Sequence, residues 1–491
     1  MVVSIVPAPL RVESREGPPF VVGADIRVVV GTDPSAVSVA VLAAGDIATL
    51  VGASVVVTHH DDGSPGAIVL KLSTKRGELA MPDVIPAALA AEAYRLEVNA
   101  NRVTVTALGT SGLLRGMSTL AQLMTQGVAS VVVHPVVVVD NPRFAWRGLS
   151  LDLARHFFGV ETVKAVISVL ASLKLNVLHL HLTDDQGWRL HLPSRPALTA
   201  ESGQTAVGGD EGGFFTVAEY TELVNYAAAR AVTVVPEIDL PGHVNAALHA
   251  YGELTPTGEP APAYTGVDVG FSRLQYGLPA TALFVADVLG DVAAMTPGPY
   301  VHLGGDEAMT MHRAEYAEML AVAARILVAA GKTVVGWQET ARATLPVGSI
   351  VQYWDERDSV ADVVGAVARG ARVLLSPASR MYLDMRYDAA TPMGRDWAGH
   401  IGLRDCYDWE PGDLLPVPID RVVGVEAALW TETVSTAHEV FLMLLPRLAA
   451  VSEVAWSDPG RRRWQDFGAR LRPLTARWDD LGLPWYRPAL D

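Results

Sequence analysis

A (β/α)8 barrel of the TIM type, preceded by a small α+β module, is the fold class that this sequence predicts. Three observations lead there. From about residue 147 onward, short Val/Ile/Leu-rich runs alternate with amphipathic stretches, the pattern of parallel strands joined by helices. Eight such runs fit in order, at 147–153, 177–182, 233–238, 300–303, 333–335, 350–353, 373–375 and 422–428. Reactive residue types follow each of them, as expected where a barrel opens its C-terminal face. The alternative, an open doubly wound sheet, lacks the Gly-rich phosphate loop that should follow its first strand.

The earlier part of the chain reads differently. Short Val/Ile-rich runs at 26–30, 53–58, 67–72, 94–98 and 102–107 mix with helical stretches at 36–51 and 111–126. Asn99-Ala100-Asn101 turns one run back on the next, which makes a hairpin. Asn141-Pro142-Arg143 is the expected joint, because proline ends one segment and starts another. The expected division is therefore 1–140 for an accessory α+β domain and 141–491 for the barrel. Within the barrel, helices are expected at 160–174, 217–229, 283–294, 313–330 and 359–368.

Composition excludes several function classes. Half of the 491 residues are hydrophobic, so a large core is assured. No uncharged apolar stretch reaches the ~18 residues a membrane helix needs. The densest one, 128–139, is broken by His134-Pro135 and reads as two buried strands. A formal charge of −16 without Lys/Arg clusters argues against nucleic acid or an anionic membrane as partner. The single cysteine, Cys406, excludes an internal disulfide and a cysteine-based metal cage, and is expected to be a small buried hydrophobe. Met1-Val2-Val3-Ser4-Ile5-Val6-Pro7 has no basic segment followed by an apolar core. The chain is thus expected either to stay in the cytoplasm or to have lost a leader.

The most informative run is Val301-His302-Leu303-Gly304-Gly305-Asp306-Glu307, where a buried strand opens into two glycines and two adjacent carboxyls. Glycine lets the backbone bend sharply. A desolvated acid beside a second negative charge has its pKa raised, which suits proton donation near neutral pH. The plainer alternative is a helix beginning with an acidic first turn. Around this run the other strand ends carry Arg155-His156, Asp184-Asp185, Glu237-Ile238-Asp239 with His243, Trp337-Gln338-Glu339, Trp354-Asp355, Tyr382-Leu383-Asp384 and Trp430-Thr431-Glu432. Tryptophans with carboxylates and an arginine suit a sugar, whose flat apolar faces lie on indoles while its hydroxyls pair with charged groups. No cofactor motif is present, and no metal is expected.

In their order and identity, the motifs resemble the family-20 glycoside hydrolases, the β-N-acetylhexosaminidases. The residues that carry the resemblance are Arg155-His156-Phe157-Phe158, the run from His179 to Arg189 with Thr183-Asp184-Asp185-Gln186-Gly187-Trp188, Pro236 to His243, His302 to Glu307, Gly336-Trp337, Tyr382-Leu383-Asp384 and Leu429 to Glu432. The resemblance implies exo-acting, retaining hydrolysis of terminal non-reducing β-linked N-acetylglucosamine or N-acetylgalactosamine. In that family the substrate's own 2-acetamido oxygen attacks the anomeric carbon. Glu307 would be the general acid, and Asp306 would orient the acetamido group and stabilise the oxazolinium intermediate. By the same resemblance Trp337, Trp354 and Trp430 would cage the acetamido methyl, with Tyr382 donating to its carbonyl. Arg155 and Glu432 would hold hydroxyls, Asp384 would lie near Asp306, Asp184 and His243 would pair to tune Glu307, and Trp397 would stack on the leaving sugar.

Two rivals remain at this stage. One is a metal-dependent amidohydrolase barrel using His179, His181, His243 and Asp306, although paired strand histidines more often hydrogen-bond within a core. The other is a sugar-binding protein on a decayed barrel, which requires loss of an acid that this chain retains.

Overall fold

The computed structural model describes residues 3–490 apart from 24, 82–84 and 128–129, so Met1, Val2 and the start of the 128–139 run lie outside the described residues. Seven strands make the first sheet: β1 (Arg11–Ser14), β2 (Arg27–Val30), β3 (Val56–Thr58), β4 (Ala67–Leu72), β5 (Tyr94–Val98), β6 (Arg102–Ala107) and β7 (Val136–Asp140). They lie in the order β1-β7-β5-β6-β4-β2-β3, antiparallel from β1 to β6 and parallel beyond. The predicted hairpin is β5–β6, with buried and half-buried residues alternating along both strands. Helices α1 (Pro34–Val51) and α2 (Thr110–Leu123) pack against the sheet and close a core that includes Val28, Ile68, Leu96, Val103 and Val105. The expected helix over 111–126 stops earlier, because Thr125–Gln126 joins a small three-stranded sheet with Phe20–Val22 and Val131–Val133.

Eight parallel strands then close into a barrel: β8 (Trp146–Asp152), β9 (Val177–His181), β10 (Thr233–Glu237), β11 (Tyr300–His302), β12 (Thr333–Trp337), β13 (Ile350–Tyr353), β14 (Arg372–Leu375) and β15 (Val422–Leu429). Pairing of β8 with β15, Trp146 opposite Gly424, completes the ring and removes the open doubly wound sheet. The expected amphipathic stretches are α3 (Val160–Ser172), α4 (Val217–Ala228), α5 (Pro279–Met295), α6 (Arg313–Ala329) and α7 (Ala361–Ala368). Leucines and valines such as Leu151, Leu178, Leu180 and Leu170 are fully buried between strands and helices. Each contributes about 1.5–3 kcal/mol by leaving water. Among the described residues no helix is long and apolar enough to cross a membrane.

Beyond an apolar cluster of Trp146, Val177, Val235, Val335 and Ile350, the strands bury a polar set. His179 and His181 on β9, Glu237 on β10, His302 on β11, Gln352 on β13 and Glu426 on β15 are all 0% exposed. The barrel is fastened to the first sheet by polar contacts. Lys174 Nζ, after α3, reaches Asp140 Oδ2 of β7 at 2.8 Å and Tyr94 Oη of β5 at 2.9 Å. Trp456 Nε1 donates to the same carboxylate at 3.0 Å. Burial holds the Lys174 ammonium below its ordinary pKa, with Asp140 opposing that shift. Cys406 is buried as expected, and burial pushes its thiol up to about 12.

Candidate active site

Every strand of the barrel delivers its last residues, or the loop after it, to one end of the ring. After β11 the backbone enters the left-handed region at Gly304 (φ 64), Gly305 (φ 97) and again at Glu307 (φ 44). At Gly304 a Cβ would lie 1.8 Å from Asp239 Oδ1, so only glycine fits there. A non-glycine residue held at positive φ, as Glu307 and His243 (φ 53) both are, is strain of the kind that gathers at functional sites. The run 303–312 is loop, and helix α6 begins only at Arg313, so the alternative of an acidic first turn is wrong.

Asp306 and Glu307 lie side by side, their side chains 13% and 23% exposed, with His243 behind both. His243 Nε2 is 3.4 Å from Glu307 Oε2 and 3.7 Å from Asp306 Oδ2. Its Nδ1 meets Asp184 Oδ1 at 3.0 Å. Burial opposes a charge on His243, but Asp184 and Asp306 outweigh it and raise its pKa well above the ordinary value. The expected Asp184–His243 pair is therefore formed and faces Glu307. Asp306, by contrast, is raised to about 6 by burial and by its neighbour Glu307, with His243 opposing.

Aromatic rings wall the space beside these carboxyls. Trp337, the last residue of β12, lies 5.7 Å from Trp430, and Tyr382 lies 6.1 Å from Trp430 and 6.0 Å from the nearly parallel Trp354. The sequence reading ended strand five at Val335, whereas β12 runs on to Trp337 and fixes this indole in the barrel wall. Tyr382 reaches its place through a bridge to Ala428 of β15. Burial, then the negative charge of Asp306, holds its phenol protonated. Trp397 stands edge-on to Tyr382 at 5.7 Å and to Trp354 at 6.2 Å, 40% exposed at the rim.

Opposite this aromatic wall lie charged groups. Arg155 Nη2 pairs with Asp184 Oδ2 at 2.8 Å, and its guanidinium covers Trp430 at 5.1 Å. Burial works against its charge, but Asp184, Asp152 and Glu432 overcome it and raise its pKa. Arg155 Nε, Glu432 Oε2 and both carboxyl oxygens of Asp384 are buried without a protein partner, which leaves them free for a ligand's hydroxyls. Asp384 was expected beside Asp306. The charge acting most strongly on it is Glu432, which with burial raises its pKa well above the ordinary range.

Several residues here were not singled out from sequence. Glu237 Oε2 takes His181 Nδ1 at 2.6 Å, and its Oε1 takes Trp337 Nε1 at 2.8 Å, so one buried carboxylate aims both an indole of the cage and a histidine. His181 Nε2 passes the chain on to Asp184 Oδ2 at 2.8 Å. Asp239 holds Gly305 N–H at 2.9 Å, and Glu339 accepts from Trp354 Nε1 at 3.3 Å. Glu339 is raised to about 8 by burial and by Asp306. The available signal was spacing: His179 and His181, two apart on buried β9, share one face, and Asp239 follows Glu237 by the same interval just past the end of β10. The four residues of the metal-site rival are not brought together. His243 and Asp306 cluster with Asp239, while His179 and His181 bond separately to Glu426 and Glu237.

Comparison with known proteins agrees with this arrangement. A family profile described as "Glycosyl hydrolase family 20, catalytic domain" matches residues 144–459, and one described as "Glycosyl hydrolase family 20, domain 2" matches residues 2–141. The chain is 52% identical to a β-N-acetylhexosaminidase of Cellulomonas fimi over 99% of its own length and 96% of the relative's. The solved family-20 β-N-acetylhexosaminidase of Streptomyces coelicolor A3(2) superposes with a TM-score of 0.92 at 40% identity, covering 99% of this chain and 98% of that one. A mutant Streptomyces plicatus β-hexosaminidase in complex with its product GlcNAc also gives 0.92, at 39% identity, covering 99% and 97%. This chain belongs to glycosyl hydrolase family 20.

Proposed function

We propose that this protein is an exo-acting, retaining β-N-acetylhexosaminidase that releases terminal non-reducing β-linked N-acetylglucosamine or N-acetylgalactosamine by substrate-assisted catalysis. The observation that carries this reading is the pairing of two adjacent carboxyls with a box of aromatic rings, Trp337, Trp354, Tyr382 and Trp430. Such a box fits a small methyl-bearing group beside the reacting carbon. It has no purpose for a plain 2-hydroxy sugar.

Glu307 donates its proton to the glycosidic oxygen as the bond to the anomeric carbon breaks. The 2-acetamido carbonyl oxygen, accepting a hydrogen bond from Tyr382, forms the new bond to that carbon. Asp306 accepts from the acetamido N–H and faces the positive charge that spreads over the oxazolinium ring. Glu307, now ionised and beside cationic His243, then takes a proton from water as the water attacks the same carbon. Well-oriented intramolecular attack reaches effective molarities of about 10⁵–10⁸ M, so no enzyme nucleophile is needed. Arg155, Asp384 and Glu432 hold hydroxyls at the closed edge of the sugar, and Trp397 offers the leaving sugar a platform at the rim. The same reading makes 1–140 an accessory domain and 141–491 the catalytic one, fastened through Lys174 and Asp140.

A panel of aryl β-glycosides tests it, with 2-acetamido gluco, 2-acetamido galacto and 2-hydroxy gluco sugars. The 2-acetamido substrates should turn over and the 2-hydroxy one should be slower by several powers of ten. Comparable rates would remove the internal nucleophile.

A further inference from the structure

One buried acid beside the site has no part in the mechanism above. Asp239, in the loop after β10, is 2% exposed. Its Oδ1 is fixed by the Gly305 N–H at 2.9 Å, and its own N–H is held by Thr183 Oγ1 at 3.0 Å. Its Oδ2 is buried with no hydrogen-bond partner, and so is Asp306 Oδ1. Oxygens of these two carboxyls and a ring nitrogen of His243 lie within 4.8 Å of one another.

We propose that Asp239 is the positioning residue for Asp306: as a neutral carboxylic acid it donates a hydrogen bond to Asp306, so the pair carries one negative charge, displayed toward the substrate's amide. Two ionised carboxylates in contact in a dry site repel strongly, and one shared proton removes that cost. The proton sits on Asp239 because its surroundings favour it less as an anion. Burial, then Asp306 and Glu237, work against its charge, with His243 and His181 opposing, and its pKa lies well above the ordinary carboxylate range. Asp306 rises only to about 6, since His243 and the hydrogen bond from Asp239 both stabilise its anion. Asp239 thereby does for Asp306 what the backbone cannot. Its Oδ1 pins the Gly305 amide that precedes Asp306, and its Oδ2 aims the carboxylate.

The inference rests on Asp306 acting on the 2-acetamido group. The test is the pH dependence of kcat/KM for an aryl N-acetylglucosaminide with the full-length chain, Asp239→Ala and Asp239→Asn. Asparagine keeps an acceptor for Gly305 and offers an N–H to Asp306. Asp239→Ala should lower kcat about 100-fold with KM changed only a few-fold. It should move the acidic limb upward by about one pH unit, the size of one lost hydrogen bond to a charged group. Asp239→Asn should recover at least ten-fold of that loss and return the limb. An asparagine variant no faster than alanine, or an alanine limb displaced to lower pH as removal of an ionised neighbour would cause, overturns the proposal. If the alanine variant does not fold, difference infrared spectra of the unmodified and asparagine proteins near neutral pH decide. A protonated-carboxyl band should be lost on substitution, and its absence from the unmodified protein contradicts the idea. Failure of the parent reading would look different, as equal cleavage of 2-acetamido and 2-hydroxy glycosides by the unmodified enzyme.

Discussion

Beneath α1 and α2 the seven-stranded sheet buries side chains such as Val28, Ile68, Leu96, Val103 and Val105, while at comparable depth the barrel buries His179, His181, Glu237, His302, Gln352 and Glu426. The first set draws its stability from lost apolar surface and needs no particular aim. The second is costly, since each buried ion carries a desolvation penalty of several kcal/mol that only close partners offset. That cost has a use. Glu237 holds Trp337, His181 continues to Asp184, and Asp184 orients His243 against Glu307. The difference teaches that the sheet is built to hold together and the barrel interior to point groups outward at its mouth.

That contrast can be broken or sharpened by substitution, and the largest effect belongs to the barrel mouth. Glu307→Gln removes the proton donor, and kcat on aryl N-acetylglucosaminides should fall about 10²–10⁴-fold with Tm unchanged, measured by steady-state kinetics and thermal unfolding. An active glutamine variant would end the acid assignment. Asp306→Asn should cost about 10²–10³-fold, as loss of one charge-stabilising group in a dry site does, and only on substrates with a 2-acetamido group.

One layer deeper, Glu237→Gln leaves His181 and Trp337 without an ionised acceptor. Both kcat and Tm should fall, the stability loss reaching ~3–5 kcal/mol because buried cations lose their partner. A drop in Tm alone would show that the interior chain is structural and does not aim the mouth. The pH dependence offers a gentler probe. The active form needs Asp306 ionised, and its pKa is raised to about 6. Activity in kcat/KM is therefore fully present above that pH and should decline about ten-fold per unit below it. An acidic limb near the ordinary aspartate range would mean that Asp306 is not the group being titrated.

The smallest effect on chemistry belongs to the sheet. Leu96→Ala should lower stability by ~2–5 kcal/mol through the cavity it leaves, and kcat of the folded fraction should not change. A fall in kcat at full folding would mean that the two regions are less separate than their interiors suggest.

Much of this was legible in the sequence because a barrel repeats itself. Strand–helix alternation located all eight strands to within two residues at most ends, and the mouth residues followed from standing just after each strand. Trp337 shows the limit, since its strand runs two residues further than an apolar run alone suggests and thereby locks the indole. How Tyr382 and Asp384 are held is not legible in the sequence, because the loop after β14 is fixed by a bridge between Tyr382 and Ala428, a tertiary contact with no local signature. Glu237, Asp239 and Glu339 stood in plain view within quoted motifs. Their partners come from other strands, so their roles depend on ring closure, which spacing along one strand does not encode.

The most direct test of the internal nucleophile is a series of aryl N-acylglucosaminides whose acetyl group carries increasing numbers of fluorines. Fluorine withdraws electrons from the amide oxygen while changing its size little. If that oxygen attacks the anomeric carbon, kcat/KM should fall steeply and steadily along the series, with KM changing far less than kcat. Rates insensitive to fluorination, with a sugar trapped covalently on the polypeptide, would contradict the account.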